Sequence, residues 1–276
     1  MDGILIVNKE AGMTSHDVVA KLRRILHIKK IGHTGTLDPN ATGVMIVLVG
    51  KATKILPYIE DVDKEYITTM KLGKRTLSDD IWGEIIEEKP IVEIDDFADF
   101  ITQFKGKQKQ LPPMISSIKV NGRKLYEYAR NNETVERPLR YVEIYDIECL
   151  DEKQMKFRVH CSSGTYIRSL CVAIAEKSGN IGCMSSLVRT KVGRFSLAQA
   201  YTLDEIAAGN YKVYPIYEIL SHYPMVSYQP IQDVKNGKKI RLNCKEDEVA
   251  IINEKEVIAI YHRHHHNLFY CVRGLW

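Results

Sequence analysis

No apolar run in this sequence is long enough to cross a membrane. The longest, Ile4–Val7 and Val44–Val49, fall far short of the roughly 18 consecutive apolar residues that a spanning helix needs, so a membrane protein is excluded. A basic leader with an apolar centre and a cleavage site is also missing. Asp2 runs straight into a short strand-like segment, so no secretory signal is expected and the chain is expected to be cytoplasmic. The six cysteines (Cys149, Cys161, Cys171, Cys183, Cys244 and Cys271) contain no C-x-x-C pair, which argues against zinc or redox work and for reduced structural thiols. There is no glycine-rich phosphate motif, internal repeat or low-complexity tract, so nothing in the sequence calls for a cofactor. An excess of one charge is nearly missing too, with 39 Lys and Arg against 35 Asp and Glu.

What is present describes a soluble globular chain: 45% hydrophobic and 27% charged residues over 276 positions, enough for one large domain or two unequal ones at roughly 150 residues each. Its charge is unevenly spread. Val18–Leu37, Ile101–Tyr126 and Lys177–Thr202 contain no acid, and the second holds Lys105, Lys107, Lys109, Lys119, Arg123 and Lys124. Such stretches fit a surface for a polyanion; the alternative is basic faces balanced in space by acids from elsewhere.

The pattern of residues implies the following elements. Gly3–Val7 reads as a buried strand, and Thr14-Ser-His-Asp17 as a capping box that opens a helix with Val18, Leu22, Ile25 and Leu26 on its apolar face. Gly32–Gly43, with three glycines and a proline, is expected to be irregular throughout. Strands are expected over Gly43–Gly50 and Tyr66–Gly73, with Tyr66, Thr68, Met70 and Leu72 on one face, and a short helix carries Phe97, Phe100, Ile101 and Phe104. The basic stretch Phe104–Pro138, broken by Pro112-Pro113 and Asn121-Gly122, reads as a surface excursion. Val142–Leu150 and Met155–Cys161 read as a hairpin, and Gly164-Thr-Tyr-Ile-Arg168 leads into a helix with Ile167, Leu170, Cys171 and Ile174 inward. From about His222 short strands dominate, notably Glu248–Ile252, Glu256–Tyr261 and Leu268–Val272.

Gly32–Gly43 is the most informative segment. Glycines permit close backbone approach and Pro39 stiffens the chain directly after Asp38, so one carboxylate is displayed on a rigid, irregular platform. By pattern alone an Asx-turn at Asp38-Pro39 is the competing explanation. The whole run Gly32-His-Thr-Gly-Thr-Leu-Asp-Pro-Asn-Ala-Thr-Gly-Val44 resembles the signature G-H-x-G-x-L-D-P-x-A-x-G of the TruB family of bacterial tRNA pseudouridine synthases. Asn8-Lys9-Glu-Ala-Gly-Met-Thr-Ser15 is similar to the family's opening motif, and Lys64-Glu-Tyr66 with Leu72-Gly73 to its tyrosine strand. Thr76 with Asp80-x-x-Gly83 resembles the next loop. Leu111-Pro-Pro-Met-Ile-Ser-Ser117 with Gly122-x-Lys-Leu-Tyr-Glu-Tyr128 resembles the inserted thumb, and Gly164-Thr-Tyr-Ile-Arg168 the arginine motif. Leu187-Val-Arg189 with Val192-Gly193 continues the pattern. Glu10 stands where proline is usual in the family, and Trp82 sits in a loop that the family normally lines with small or acidic residues.

The resemblance implies isomerisation of a uridine in the T-loop of tRNA, conventionally numbered 55, to pseudouridine. It makes Asp38 the catalytic carboxylate and Arg168 the cation that keeps it ionised, a task for which a permanently charged, bidentate group is suited. Tyr66 would hold the uracil ring and help to move the C5 proton. Tyr166 and Leu187 would wall the pocket, His33 would contact or replace the extruded base, and Asp80 would serve a polar network near the site. Lys9, Lys107, Lys109 and Lys124 are expected to grip RNA. Against these stand plain structural roles: core packing for Tyr66, Tyr166 and Leu187, a surface position for Arg168, a structural hydrogen bond for His33.

The expected fold is α+β: a large mixed, mainly antiparallel sheet with flanking helices, lacking a regular βαβ rhythm. A catalytic domain is expected over 1–221 with a thumb inserted at about 104–138, followed by a PUA-like RNA-binding module over 222–276. The His262-Arg-His-His-His266 cluster is read as a solvated turn or a further RNA contact, since no Cys or carboxylate at ligand spacing accompanies it. The function expected is a cofactor-free and metal-free RNA isomerase that acts on the T-arm as a monomer without an obligate protein partner. A non-catalytic RNA-binding module would leave Asp38, Tyr66 and Arg168 without a purpose, and a glycoside hydrolase would normally show a pair of carboxylates.

Overall fold

The computed structural model describes residues 1–59, 62–131 and 133–276; Asn132, within the Phe104–Pro138 stretch, lies outside the described residues. The chain divides into two compact units, one of Met1–Pro39, Val44–Asp61 and Ala198–Trp276, the other of Asn40–Gly43 and Val62–Leu197.

In the first unit the strand Gly3–Lys9 is buried at every position except Asn8, as a strand covered on both faces should be. The helix Ser15–Leu26 begins as its sequence predicts. The Thr14 side chain accepts from the Asp17 amide, and the Asp17 carboxylate accepts in return from the Thr14 amide at 2.8 Å. Val18, Val19 and Leu22 enter a core with Leu5, Val7, Met45, Val47 and Leu203. The helix stops at His27, in the left-handed region at φ 54°.

The glycine-rich segment is less irregular than expected. Ile31–His33 is a short strand paired antiparallel with Val47–Val49, and Thr42 and Gly43 open the strand Thr42–Val49. The irregular part is confined to residues 34–41. The correction has a simple cause: the apolar run after Gly43 is a buried strand that pairs with whatever chain lies beside it.

The C-terminal part of this unit is a five-stranded sheet in the order Met225–Ser227, Glu248–Asn253, Glu256–His265, Leu268–Gly274, Ile240–Arg241. Its own core holds Val234, Ile240, Val249, Ile251, Ile258, Tyr261 and Phe269. The Lys54 ammonium donates to the carbonyls of Gly274 at 3.0 Å and Trp276 at 2.9 Å. The histidine cluster is not a turn, as expected, but mostly strand: His262 pairs with Tyr270 and His265 with Leu268, and only His266, at φ 48°, turns the chain. Among the described residues no three His, Cys, Asp or Glu are placed to hold a metal ion, and the six cysteines are free thiols.

The second unit is built on five antiparallel strands in the order Gly182–Val192, Lys64–Leu72, Lys156–Cys161, Arg140–Asp151, Gly106–Gln110. Tyr66, Thr68, Met70 and Leu72 are all buried on one face, as their alternation predicts. The helix Ile167–Lys177 lies on that face. Cys171 meets Thr68, Ala175 meets Gly182, and Arg168, one turn earlier, therefore lies towards the Tyr66 end. Burial pushes the Cys171 thiol up to about 12, and it stays protonated. The basic excursion opens with Gly106–Gln110 as the edge strand, with Lys107 and Lys109 exposed; outward lysines are common on edges because they discourage further pairing.

Thr42 and Gly43 pair in parallel with Val188 and Arg189. Gly43 sits at φ 105°, and a Cβ there would meet the Arg189 carbonyl oxygen at 2.2 Å. Gly43→Ala is therefore expected to destabilise the chain by about 2–4 kcal/mol, from backbone strain and steric conflict together. An unchanged urea midpoint would show that the two backbones do not need this approach.

Candidate active site

Asp38 is half-buried in the first unit, and both of its neighbours are fixed. The Ser15 hydroxyl accepts from the Leu37 amide at 2.9 Å and donates to the Leu37 carbonyl at 3.2 Å. On the other side the Pro39 carbonyl accepts from the Lys9 ammonium at 2.8 Å and from the Gly12 amide at 3.1 Å. Lys9 was expected to grip RNA; at 1% exposure, with a second bond to the Glu10 carbonyl at 2.9 Å, it is part of the platform instead. Its stem is buried, and a buried ammonium has to end on oxygens. The opening motif thus serves to position the turn that bears the carboxylate. His33 is half-buried, in the short strand that leads into this turn.

The second unit assembles most of the other expected residues. Tyr66 faces Arg189 across the strand pair, and the buried guanidinium forms a side-chain hydrogen bond with the phenol. Desolvation pushes the Arg189 pKa down and Tyr66 opposes this; an arginine remains charged even so. Leu187, paired with Thr68, lies two residues from Arg189 and so shares its face. Arg189 belongs to the acid-free stretch Lys177–Thr202, which suggests a basic surface, and closes the Leu187-Val-Arg189 motif; the structure buries it instead.

Arg168 is buried. Its Nη1 donates to the Ser78 carbonyl at 2.7 Å and its Nη2 to the Ile115 carbonyl at 2.9 Å, while Nη1 lies 3.9 Å from Asp80 Oδ2. Asp80 is itself held, with Oδ1 accepting from the Ser78 hydroxyl at 2.7 Å and the Trp82 amide at 3.2 Å. Tyr166 is oriented by a residue the sequence did not single out. The buried Gln110 amide accepts from the Tyr166 N–H at 2.7 Å and donates to its carbonyl at 2.9 Å, as a neighbouring strand would. Lys107 and Lys109 are exposed, Lys109 over the Tyr141 ring at 5.7 Å, and Lys124 lies over the Tyr126 ring at 5.4 Å.

Asp79, next to Asp80 and at φ 62°, is a further charged group of this loop. Burial raises its pKa, and the charges of Arg168, Arg137 and Arg75 only partly offset that. An acid raised in the folded state contributes stability below its unfolded pKa and loses it as the pH climbs through the folded value. Asp79→Asn, which tolerates the left-handed backbone, should therefore gain stability over wild type as the pH rises from about 4 to 7. Parallel urea-unfolding curves for the two proteins across that range would contradict this.

The second unit thus carries a buried tyrosine hydrogen-bonded to a buried arginine, and a second buried arginine beside an ordered aspartate. The first carries a carboxylate on a pinned turn. Groups of these kinds suit an enzyme that acts on an uncharged, flat group within a polyanion. Comparison with known proteins gives the same class. The family described as TruB family pseudouridylate synthase (N terminal domain) matches residues 23–167. The chain is 43% identical to tRNA pseudouridine synthase B of Geobacillus thermodenitrificans over 96% of its own length and 95% of the relative's. It is 41% identical to the Bacillus subtilis protein of the same name, over 96% and 94%. Among solved structures it resembles a chain of a Cbf5-Nop10-Gar1 complex, at 27% identity and a TM-score of 0.71 over 96% of this chain and 79% of that one. It also shares the fold of a chain in an H/ACA RNP bound to a substrate RNA, at 24% identity and a TM-score of 0.72 over 99% and 85%. This chain belongs to the TruB family of pseudouridine synthases.

Proposed function

We propose that this chain isomerises uridine 55 in the T-loop of tRNA to pseudouridine, as a monomer in the cytoplasm, without a cofactor. The observation that carries the reading is Asp38 on a turn pinned on both sides by buried side chains, within a segment matched by the family. The reaction breaks the N1–C1′ bond, turns the uracil and joins C5 to C1′; the C5 proton leaves to solvent and N1 takes one up. Asp38 acts ionised, whether its oxygen engages C1′, C6 or a sugar proton. Tyr66 supports the loosened ring, with Leu187 and Tyr166 as apolar walls and His33 against the extruded base. Arg168 is the fixed cation of the site, and Asp80 belongs to its support. Residues 1–221 form the catalytic domain, residues 104–138 a thumb, and residues 222–276 a PUA-like RNA-binding module. No helix among the described residues is long and apolar enough to cross a membrane.

The test is tritium release from C5-labelled uridine in an unmodified tRNA transcript. Asp38→Asn should lower turnover below about a tenth of wild type with tRNA affinity within a few-fold, because only charge and nucleophilicity are removed. Turnover above that level would reassign the carboxylate.

Lys107, Lys109 and Lys124 form no ion pair among the described residues, which suits contact with phosphate. Neutralising all three should weaken tRNA binding and flatten the slope of log affinity against log salt by up to about 0.9 for each phosphate no longer neutralised. An unchanged slope would remove them from the RNA interface.

A further inference from the structure

The helix Ile167–Lys177 starts without the devices that usually start one. Its N-cap is Tyr166, whose side chain makes no capping bond, and its first turn holds no acid. In a capping box the Glu or Gln three residues on accepts from the N-cap amide. Here that position is Ser169, and its hydroxyl donates away from the helix, to the Leu111 carbonyl at 2.9 Å. The missing acceptor comes from another element. Gln110, at the end of the strand Gly106–Gln110, accepts from the Tyr166 N–H at 2.7 Å. It also donates, at 2.9 Å, to the Tyr166 carbonyl, on which the Leu170 N–H of the helix ends at 3.1 Å. At 7% exposure, its amide is not readily replaced by water.

The chain that follows Gln110 reaches the same turn twice more, through the Leu111 carbonyl on Ser169 and the Ile115 carbonyl on Arg168 Nη2 at 2.9 Å. Residues 110–115 thus hold Tyr166, Arg168 and Ser169. Arg168 is the second residue of the helix, so the start of the helix decides where the guanidinium goes. Helix ends fray unless their free groups are satisfied, and a frayed first turn would release the backbone from which Arg168 extends.

We propose that Gln110 is a positioning residue for the reaction. Its amide completes, from a different strand, the cap that the helix lacks, and with the Ser169 bond to Leu111 it fixes the turn that carries Arg168. The inference rests on the proposed function, in which Arg168 is the fixed cation of the site. Gln110 touches neither substrate nor reacting atoms; it acts through Arg168 and Tyr166, on the rate of the chemical step and not on RNA affinity.

The experiment uses the full chain and two readouts. One is tRNA Kd by equilibrium binding. The other is the single-turnover rate constant of tritium release with enzyme in saturating excess, which does not depend on the fraction of enzyme that is folded. Gln110→Met keeps the reach of the side chain and removes both bonds to Tyr166. It lowers the rate constant about tenfold to a hundredfold, as expected of a group displaced by about 1 Å, with Kd within about twofold of wild type. Ser169→Ala, at a partly exposed position, removes the second tie with less demand on folding. It lowers the rate constant about two- to fivefold. A purely structural role would lower the unfolding midpoint and leave the rate constant at the wild-type value. That result in Gln110→Met, or in Ser169→Ala should the first variant not fold, would overturn the proposal. So would weaker binding at an unchanged rate constant, because the segment would then touch RNA. Absence of tritium release from wild type would overturn the assigned reaction and the inference with it; normal release from wild type and from both variants would overturn the inference alone.

Discussion

A guanidinium withdrawn from water keeps its charge, so its donors have to end on oxygens, and the oxygens have to come to it. Arg168 meets this demand with carbonyls from outside its own helix, Ser78 on one side and Ile115 on the other. Much of the second unit's site follows from that. The loop bearing Ser78 cannot move without stranding a buried charge, so Asp80, which accepts from Ser78 and Trp82 in the same loop, is fixed as well. For the desolvated Asp79 beside it, Arg168 offsets only part of the burial penalty. Lys9 solves the same problem in the first unit, drawing in the Glu10 and Pro39 carbonyls and thereby setting the turn at Asp38. In both units a buried cation is the organiser, and the placing of the nearby loop or turn follows from satisfying it.

The strand pair Lys64–Leu72 and Gly182–Val192 supplies the second constraint. Two irregularities, between Met184 and Ser186 and between Arg189 and Lys191, interrupt its ladder, and bulges of this kind re-aim side chains. Between them Leu187 and Arg189 lie opposite Thr68 and Tyr66. Gly43 allows the parallel pairing with Val188 and Arg189 to close, since no side chain fits against the Arg189 carbonyl. The glycine that ends the signature is thus explained by packing.

These two constraints account for what could and could not be read in advance. Local patterns were legible: the capping box at Thr14, the alternation from Tyr66 to Leu72, the hairpin of Val142–Leu150 and Met155–Cys161, and the helix after Gly164. Each depends on residues close in the chain. The strand Gly182–Val192 was not legible, because its bulges break the period of two that identifies a strand. The burial of Lys9, the clamp of Gln110 on Tyr166 and the bond between Arg189 and Tyr66 each join residues far apart in sequence. Composition carries no trace of such pairs. The histidine cluster misled for a related reason: polar residues resemble a turn until the pairing of His262 with Tyr270 shows an exposed continuation of a strand.

The acid-free stretches show why a run of basic residues overstates a basic surface. Lys105, Arg123 and Lys191 are paired with Asp146, Glu133 and Glu65, acids from outside their own stretches. Arg23 donates to the carbonyls of Lys29 and Ile31, and Arg189 is buried with Tyr66. A cation satisfied by backbone carbonyls or by a phenol leaves no nearby carboxylate in the sequence to betray its role, so satisfied and unneutralised cations look alike on paper. The structure separates them by where the charge ends. Lysines whose ammonium groups lie over an aromatic ring, Lys109 over Tyr141 and Lys124 over Tyr126, keep their charge without a carboxylate to neutralise it. An electrostatic surface for RNA requires charge in that state, and it is a smaller set of residues than the acid-free stretches contain.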